Sequence, residues 1–194
     1  MKRIILASNS KWRKQLLEMA GIPCEVCPSD VSEDIQFVSP EEYVMALSKR
    51  KAENVANKIS EGIIIAADTI GYMNGEKFEK PKSREEAFQN IKKLSGNVNV
   101  AVTGVTMIDL YTQNQVTFYD EAKVYFNSMT DDEINWYIDH EENVYTSAGY
   151  SIETKASLFI SKIEGDYKTI VGLPVCMIYE QLKKWGDGVQ DFVK

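Results

Sequence analysis

A group of serine and basic residues near the start of the chain could bind an anion. Ser8, Ser10, Lys11 and Arg13 directly follow residues 4–7, a short apolar run suited to a buried strand. Where a strand turns into a helix, free N–H groups and the helix dipole favour an anion, and arginine offers a forked donor to phosphate oxygens. A capped surface helix with solvated basic side chains would have the same residues, so these residues alone leave both interpretations open.

Asp68 and Glu33 could hold a metal ion or activate water. Asp68 ends residues 62–68, the most apolar segment of the chain, which predicts a central strand. An acid at the carboxyl end of such a strand typically faces the ligand crevice of an α/β sheet. It could instead cap Thr69 or its neighbours in a loop, but a carboxylate beside so apolar a strand costs desolvation energy unless it has a partner. Glu33 lies in an acidic loop and is ambiguous on its own.

Two lysines could add positive charge for a phosphate. Lys80 precedes Pro81, which fixes the backbone and could aim the lysine side chain, although a solvated loop would have the same residues. Lys51 lies on a predicted helix beside Lys49 and Arg50, and on its own it would be surface charge. The Walker lysine motif and the glycine fingerprint do not occur, so the commoner nucleotide-binding signatures are absent.

Composition and charge exclude several classes of protein. The chain has 194 residues, of which 44% are hydrophobic and 26% charged, as in globular proteins rather than disordered or fibrous ones. Its net charge of −7 argues against a protein that coats nucleic acids. No apolar run approaches the roughly 20 residues that a membrane span needs. An odd count of 3 cysteines, and an apolar start too short for a signal peptide, predict a cytoplasmic protein with free thiols.

The elements that must position these residues alternate along the chain. Serine or threonine followed three positions later by glutamate predicts helix starts at Ser39, Ser83 and Thr130, and Asn74-Gly75 predicts a type I′ hairpin. Strands are predicted at 4–7, 24–27, 62–68, 99–108 and 115–126, and segments 152–163 and 167–171 are expected to flank a turn at 165–166. Helices are predicted at 11–20, 40–59, 83–96, 130–140 and 175–184. This interleaving predicts an α/β fold with a mixed sheet.

Seven short segments, spread over nearly the whole chain, form an ordered set. They are residues 6–13, 67–69, 79–82, 93–96, 147–153, 164–167 and 171–174. The first of them, LASNSKWR, is similar to the opening Leu-Ala-Ser-x-Ser-Pro-x-Arg of the Maf (septum-formation-inhibitor-like) nucleoside triphosphate pyrophosphatases. Each segment is weak alone, but in this order and with this spacing the set resembles that family specifically.

The resemblance implies a fold and a reaction. It implies one domain over residues 1–194 with the Maf/inosine-triphosphatase-like fold, in which a mixed twisted sheet and helices form two lobes around a central cleft. Enzymes of this family convert a nucleoside triphosphate and water to the monophosphate and pyrophosphate, using Mg²⁺ or Mn²⁺. The expected partners are the nucleotide substrate and a second copy of the chain in a homodimer, with no nucleic acid polymer and no membrane.

The resemblance also assigns roles to individual positions. Asp68 matches the catalytic acid, and Glu33 joins it as a metal ligand. The expected phosphate-binding residues are Ser8, Arg13, Lys51 and Lys80. A triphosphate carries about four negative charges, and these basic side chains with the helix N-terminus would supply compensating positive potential.

Three positions that distinguish types within the family predict the base. The dTTP/UTP type usually has Arg, Thr and Gln there and the 7-methyl-GTP type Trp, Gln and Glu, whereas this chain has Trp12, Thr69 and Glu153. A tryptophan face can stack on a cationic methylated purine, and a carboxylate can accept from guanine N–H groups. Trp12 could instead pack on Leu16. The expected substrate is 7-methyl-GTP; the alternatives are a dTTP/UTP pyrophosphatase and a non-catalytic, nucleotide-binding regulator of septum formation.

Overall fold

A mixed β-sheet forms the centre of the computed structural model, which describes residues 2–192. Its seven strands among these residues are β1 (Ile4–Leu6), β2 (Glu25–Val26), β3 (Ile63–Met73), β4 (Glu76–Lys77), β5 (Val98–Asp109), β6 (Asn114–Phe126) and β7 (Ile160–Glu164). The strand order is β2-β1-β3-β5-β6-β7, and β4 pairs with β3. β1 is parallel to β2 and β3, whereas the pairs β3–β4 and β6–β7 are antiparallel. The predicted α/β class with a mixed sheet is confirmed.

The described residues contain seven α-helices, of which those after Ser39, Ser83 and Thr130 begin where the capping residues predict. They are α1 (Lys11–Met19), α2 (Pro40–Ala56), α3 (Arg84–Leu94), α4 (Asp131–His140), α5 (Tyr167–Val171), α6 (Val175–Lys184) and α7 (Val189–Phe192), with a short 3₁₀ helix at Lys155–Leu158. Side-chain oxygens of Ser10, Ser39, Ser83 and Thr130 accept from the backbone N–H three residues on. No helix in the described range is long and apolar enough to span a membrane.

The described residues divide into two compact units. Of the described residues, unit 1 contains 2–68, 103–120 and 172–192, and unit 2 contains 69–102 and 121–171. Each unit has its own buried apolar cluster. In unit 1 the cluster includes Ile5, Ala7, Ala52, Val55, Ile64, Ala66 and Ile108, and in unit 2 it includes Ile91, Leu94, Val124, Phe126, Ile134, Tyr137 and Tyr150.

Close packing in unit 1 fixes α2 against β5. A Cβ atom at Gly104 would lie 2.4 Å from the carbonyl carbon of Val44, so only glycine allows the two backbones to approach this closely. Beside this contact, the Ser48 hydroxyl lies 2.9 Å from Thr106 Oγ1 and donates to or accepts from it. Lys51 lies one turn further along α2 and is therefore carried by a firmly seated helix.

Two predicted elements differ from the structure. The apolar strand continues past Asp68 to Met73, so Asp68 lies inside β3 rather than at its end. Segment 167–171, rich in β-branched residues, is the helix α5, because Asp166 Oδ1 accepts from the N–H of Lys168 and caps it. Segment 152–163 is not one element, since the 3₁₀ helix precedes β7.

Candidate active site

The ammonium group of Lys51 joins two carboxylates in unit 1. Its Nζ lies 2.7 Å from Glu33 Oε1 and 2.7 Å from Asp68 Oδ1 and donates to both. Lys51 is 9% exposed and Asp68 8%, whereas the side chain of Glu33 is half exposed. The structure thus brings together three of the predicted site residues. Taken on its own, Lys51 was expected to be a surface charge. The structure corrects this expectation, because Lys51 is buried.

The pairing with Lys51 explains how an acid can lie within a buried strand. Ile63 to Ala67, which precede Asp68 in β3, are fully buried. An unpaired carboxylate at this place would lose its hydration without compensation. Lys51 reaches Asp68 from α2 and supplies both an opposite charge and a hydrogen bond. Asp68 therefore lies beside a cationic partner, but it is within β3 rather than at the end of the strand, where the sequence had predicted it.

Arg13 is held by contacts at the start of α1. Its Nε donates to the carbonyl oxygen of Gly172 at 2.8 Å, and its Nη1 donates to Ser8 Oγ at 3.1 Å. Ser8 Oγ also accepts from the N–H of Ser10, at 3.2 Å, while Ser10 itself caps the helix. Burial lowers the pKa of Arg13, and the nearby charges of Asp68 and Glu33 raise it. Arg13 remains a cation and belongs to the same electrostatic cluster.

Gly172 was not predicted as part of this arrangement. Its backbone has φ of +114°, a conformation that side chains disfavour, and its carbonyl oxygen fixes the Arg13 guanidinium. The available signal was the segment 171–174, which matched the family pattern but was not connected with Arg13. Every residue has a backbone carbonyl group, so the sequence does not indicate which one accepts a hydrogen bond. The contact between Arg13 and Gly172 is therefore visible only in the structure.

The donor set suits a hard, oxygen-loving cation better than zinc. Among residues 2–192 no group of three or more His, Cys, Asp or Glu residues is arranged to hold a metal ion. Glu33 and Asp68 offer two carboxylates that both accept from the Lys51 ammonium group, and their oxygens keep further lone pairs for a cation. Mg²⁺ is commonly held by one or two carboxylates, substrate phosphates and water, so this pair fits Mg²⁺ or Mn²⁺ binding together with a phosphate ligand.

One face of the Trp12 ring lies beneath the side chain of Lys11. Lys11 Nζ lies over the indole ring, 5.0 Å from its centroid, in a cation–π contact. A positively charged methylated base approaching that face would displace this ammonium group or be repelled by it. The predicted role of Trp12 in binding a methylated guanine stays a prediction, and the Lys11 ammonium group opposes a cationic base at this one face.

The other predicted residues lie in unit 2. Thr69 is in β3, and Lys80 is exposed in the loop that follows β4. Glu153 is partly buried and accepts a hydrogen bond from Ser151, a residue that sequence reasoning passed over. The phosphate role of Lys80 and the specificity roles of Thr69 and Glu153 stay predictions.

Comparison with known proteins identifies relatives along the whole chain. The family model described as Maf-like protein matches residues 3–185. A dTTP/UTP pyrophosphatase of Carboxydothermus hydrogenoformans is 42% identical over 95% of this chain and 99% of its own. Another of that name, from Alkaliphilus oremlandii, is 44% identical over 90% and 92% of the two chains. The structure of the Staphylococcus aureus Ham1 protein has a TM-score of 0.54 at 16% identity, covers 95% of this chain and all of its own, and supports the fold alone.

The names of these relatives correct the expectation about the base. They are dTTP/UTP pyrophosphatases, whereas Trp12 and Glu153 had favoured 7-methyl-GTP. The expected 7-methyl-GTP substrate is therefore not supported by the relatives' names, which agree with the dTTP/UTP alternative. The family itself is not in doubt, because the similarity extends over nearly the full length of each relative. This chain belongs to the Maf family.

Proposed function

We propose that this chain hydrolyses dTTP or UTP to the monophosphate and pyrophosphate. As a member of the Maf family it is a nucleoside triphosphate pyrophosphatase, and the identity of the base is the part that we propose. The observation that carries the proposal is the Lys51 ammonium held 2.7 Å from both Glu33 and Asp68, with Arg13 in the same electrostatic cluster. Such a grouping of buried charges suits phosphate chemistry.

The basic residues of unit 1 are proposed to bind the triphosphate. Lys51 uses two of its three N–H donors on carboxylates, which leaves the third for a phosphate oxygen. Both contacts to Ser8 come from donors, so the Ser8 hydroxyl keeps its own proton to donate. Arg13 is fixed at Gly172 and Ser8, so its guanidinium loses little conformational freedom when an anion arrives.

Asp68 is proposed to act on the attacking water. Its carboxylate orients the water toward the α-phosphorus and accepts its proton as the new P–O bond forms and the bond to the bridging oxygen breaks. Pyrophosphate leaves with the electrons of that bond. Glu33 and Asp68 would hold the divalent cation, and when bound this ion supplies positive charge that stabilises the leaving group.

The base preference is proposed from three supports. The relatives carry the name dTTP/UTP pyrophosphatase, and the Lys11 ammonium disfavours a cationic base at Trp12. Thr69 is the third support, since it is the residue usual in the dTTP/UTP type.

Lys80 is proposed to add positive charge for the phosphates. The single-domain organisation of residues 1–194, the homodimer and the cytoplasmic location also remain proposals, the last of them supported by three free cysteines.

The decisive experiment is a substrate panel. Pyrophosphate release would be measured with Mg²⁺ or Mn²⁺ for UTP, dTTP, CTP, GTP, ATP and 7-methyl-GTP. Highest kcat/KM for UTP or dTTP is the expected result. Preference for 7-methyl-GTP would overturn the pyrimidine proposal and leave the enzyme class intact. Nucleotide binding without metal-dependent release of pyrophosphate would instead favour the regulator of septum formation.

A further inference from the structure

A groove of about 340 Å³ lies in unit 2, between the hairpin of β3 and β4 and the helix α3. Its lining, among the described residues, includes none of the residues given a role in catalysis or nucleotide binding. Small-molecule sites have volumes of about 300–1,000 Å³, so this groove is large enough for a small ligand.

Both walls of the groove are held in place. At the tip of the hairpin, Asn74 and Gly75 have φ of +51° and +89°, as a type I′ turn requires. The Asn90 side chain on α3 donates to the carbonyl oxygen of Glu79, which follows β4, at 3.0 Å. This hydrogen bond ties the helix to the end of the hairpin, so the groove exists before a ligand arrives.

Met73 and Phe78 form the apolar part of the groove. Both side chains are half-buried, and Phe78 also packs against the apolar cluster of unit 2. A ligand with methylene groups gains free energy when these groups leave water and contact such side chains. The groove therefore favours a ligand with an apolar portion.

The groove also carries an excess of negative charge. Four carboxylates and two ammonium groups line it, those of Glu76, Glu79, Glu85, Glu86, Lys77 and Lys93. Lys93 Nζ lies 3.2 Å from Glu76 Oε2, and Lys77 Nζ lies 2.7 Å from Glu79 Oε1. Each lysine thus compensates one glutamate, and two glutamates remain.

The remaining two glutamates lie in the first turn of α3. Glu85 accepts from the Gln89 side chain at 2.8 Å, and Glu86 accepts from a backbone N–H at 2.8 Å. Within the described part of the chain these donors are neutral, so both negative charges are uncompensated. Glu76 instead lies against Lys93, which is eight residues, or about 12 Å, beyond Glu85 along the helix. The groove therefore has carboxylates toward both ends of α3.

We propose that this groove binds an aliphatic diamine or polyamine. One ammonium group of the ligand pairs with Glu85 and Glu86, and another pairs with Glu76. The methylene chain between them lies on Met73 and Phe78. A metal ion would use only the carboxylates, and a neutral apolar ligand would use only Met73 and Phe78. An organic cation with an apolar chain uses both parts of the groove.

Isothermal titration calorimetry tests the proposal, with no nucleotide present, since polyamines also pair with triphosphates. Spermidine is expected to bind saturably, with one molecule per chain, and more weakly as NaCl is raised. Putrescine, cadaverine and hexane-1,6-diamine carry equal charge and lengthen by one methylene group at each step. Their affinities are expected to rise about two- to fourfold per step, because each added group is buried in part on apolar side chains. Equal affinities would indicate a purely ionic interaction and overturn the proposal.

A double variant tests whether the binding is in the groove. E76Q/E85Q removes two carboxylate charges and is expected to weaken spermidine binding about five- to tenfold, as for two exposed ion pairs. E121Q/E142Q is the matched control, because it changes the net charge equally at two exposed positions of unit 2 outside the groove. It is expected to keep the wild-type affinity. Thermal unfolding establishes that both variants are folded.

Three results would refute the site. They are no saturable binding of spermidine to the wild type, equal weakening in the two double variants, and binding of a lysine-rich peptide without binding of spermidine. The last result would assign the groove to a basic segment of a protein instead. None of these measurements involves turnover, so their outcome is independent of the proposed function.

Discussion

Lys51 illustrates how an individual residue can look unremarkable in sequence and be central in structure. It follows Lys49 and Arg50, so the local composition indicates solvated charge. Its helical position contradicts this, because Leu47 and Val55, four residues before and after it, are both buried. The periodicity of α2 was thus sufficient to place Lys51 on the inner face. Its two carboxylate partners are distant in sequence and could not be predicted from that pattern.

Replacement of Asp68 by asparagine tests the catalytic acid. D68N keeps the shape of the side chain but cannot accept the proton of water, and it leaves Lys51 with Glu33 as its carboxylate partner. We expect kcat to fall at least about 100-fold, the usual contribution of a general base. Pyrophosphate release from UTP measures this. D132N, an exposed aspartate in α4, should behave as wild type. Near-normal turnover in D68N would remove Asp68 from the mechanism.

Replacement of Lys11 by methionine tests the cation over Trp12. K11M removes the ammonium group that lies 5.0 Å from the ring centroid and exposes that face to a ligand. Relative use of 7-methyl-GTP over UTP is expected to rise about three- to fivefold, in line with an exposed cation–π contact. K14M on the same helix is the control, because Lys14 pairs with Glu18 rather than with Trp12. The same ratio in both variants would show that Lys11 has no influence on the base.

At the scale of elements, capping residues were better guides than residue propensity. Ser39, Ser83 and Thr130 each begin a helix as predicted, since a side-chain oxygen replaces a missing intrahelical acceptor. Segment 167–171 was expected to follow a turn and is a helix, although its β-branched residues favour a strand. The signal for this helix is Asp166, whose side chain accepts from the N–H of Lys168 and caps the helix. This contact spans two residues, so it could have been predicted from the sequence like the other caps.

Glu141 links the end of α4 to the 3₁₀ helix and makes stability depend on pH. Its Oε1 accepts from the N–H of Asn143 at 3.0 Å, and its Oε2 accepts from the N–H of Lys155 at 3.2 Å. Burial raises the pKa of Glu141, but these hydrogen bonds and those from the Thr154 and Asn143 side chains outweigh it, so the pKa is lowered overall. The ionised form therefore stabilises the fold above the ordinary glutamate pKa, and this contribution is lost as the pH falls through the lowered value.

The variant E141Q is expected to lower the free energy of unfolding at pH 7 by about 1–3 kcal/mol, through the loss of charge-assisted hydrogen bonds. Urea unfolding at pH 7 and at successively lower pH measures this, and the difference from wild type should shrink below the ordinary glutamate pKa. E142Q, at the exposed neighbouring position, provides the control. A difference that does not change with pH would contradict the assignment to the Glu141 charge.

For the whole molecule, the order of motifs was more informative than any one of them. The ordered segments predicted the family correctly, while two residues, Trp12 and Glu153, predicted a base different from those in the relatives' names. The surroundings of a side chain, such as Lys11 over the Trp12 ring, are not part of a motif and become visible only in the structure. The division into two units also could not be located in the sequence, because three of its four boundaries fall inside β3, β5 and β6, where no linker composition marks them.

Removal of divalent metal ions should separate activity from folding. The fold contains an apolar cluster in each unit, and no metal-binding group of three side chains is present among the described residues. EDTA is therefore expected to abolish pyrophosphate release and to leave the thermal unfolding temperature unchanged. Addition of Mg²⁺ or Mn²⁺ should restore the activity. A large fall in unfolding temperature on chelation would instead indicate a structural metal ion.

The internal pairing of Glu33, Asp68, Lys51 and Arg13 has a consequence for competition among ligands. Two positive and two negative side chains nearly cancel, so the resting cluster exerts little net pull on anions. In a medium rich in inorganic phosphate and nucleoside monophosphates, an uncompensated lysine and arginine would be occupied by whichever small anion is most abundant. We therefore expect the two carboxylates to weaken the binding of single small anions here, and a ligand that brings several phosphates and its own divalent cation to bind better.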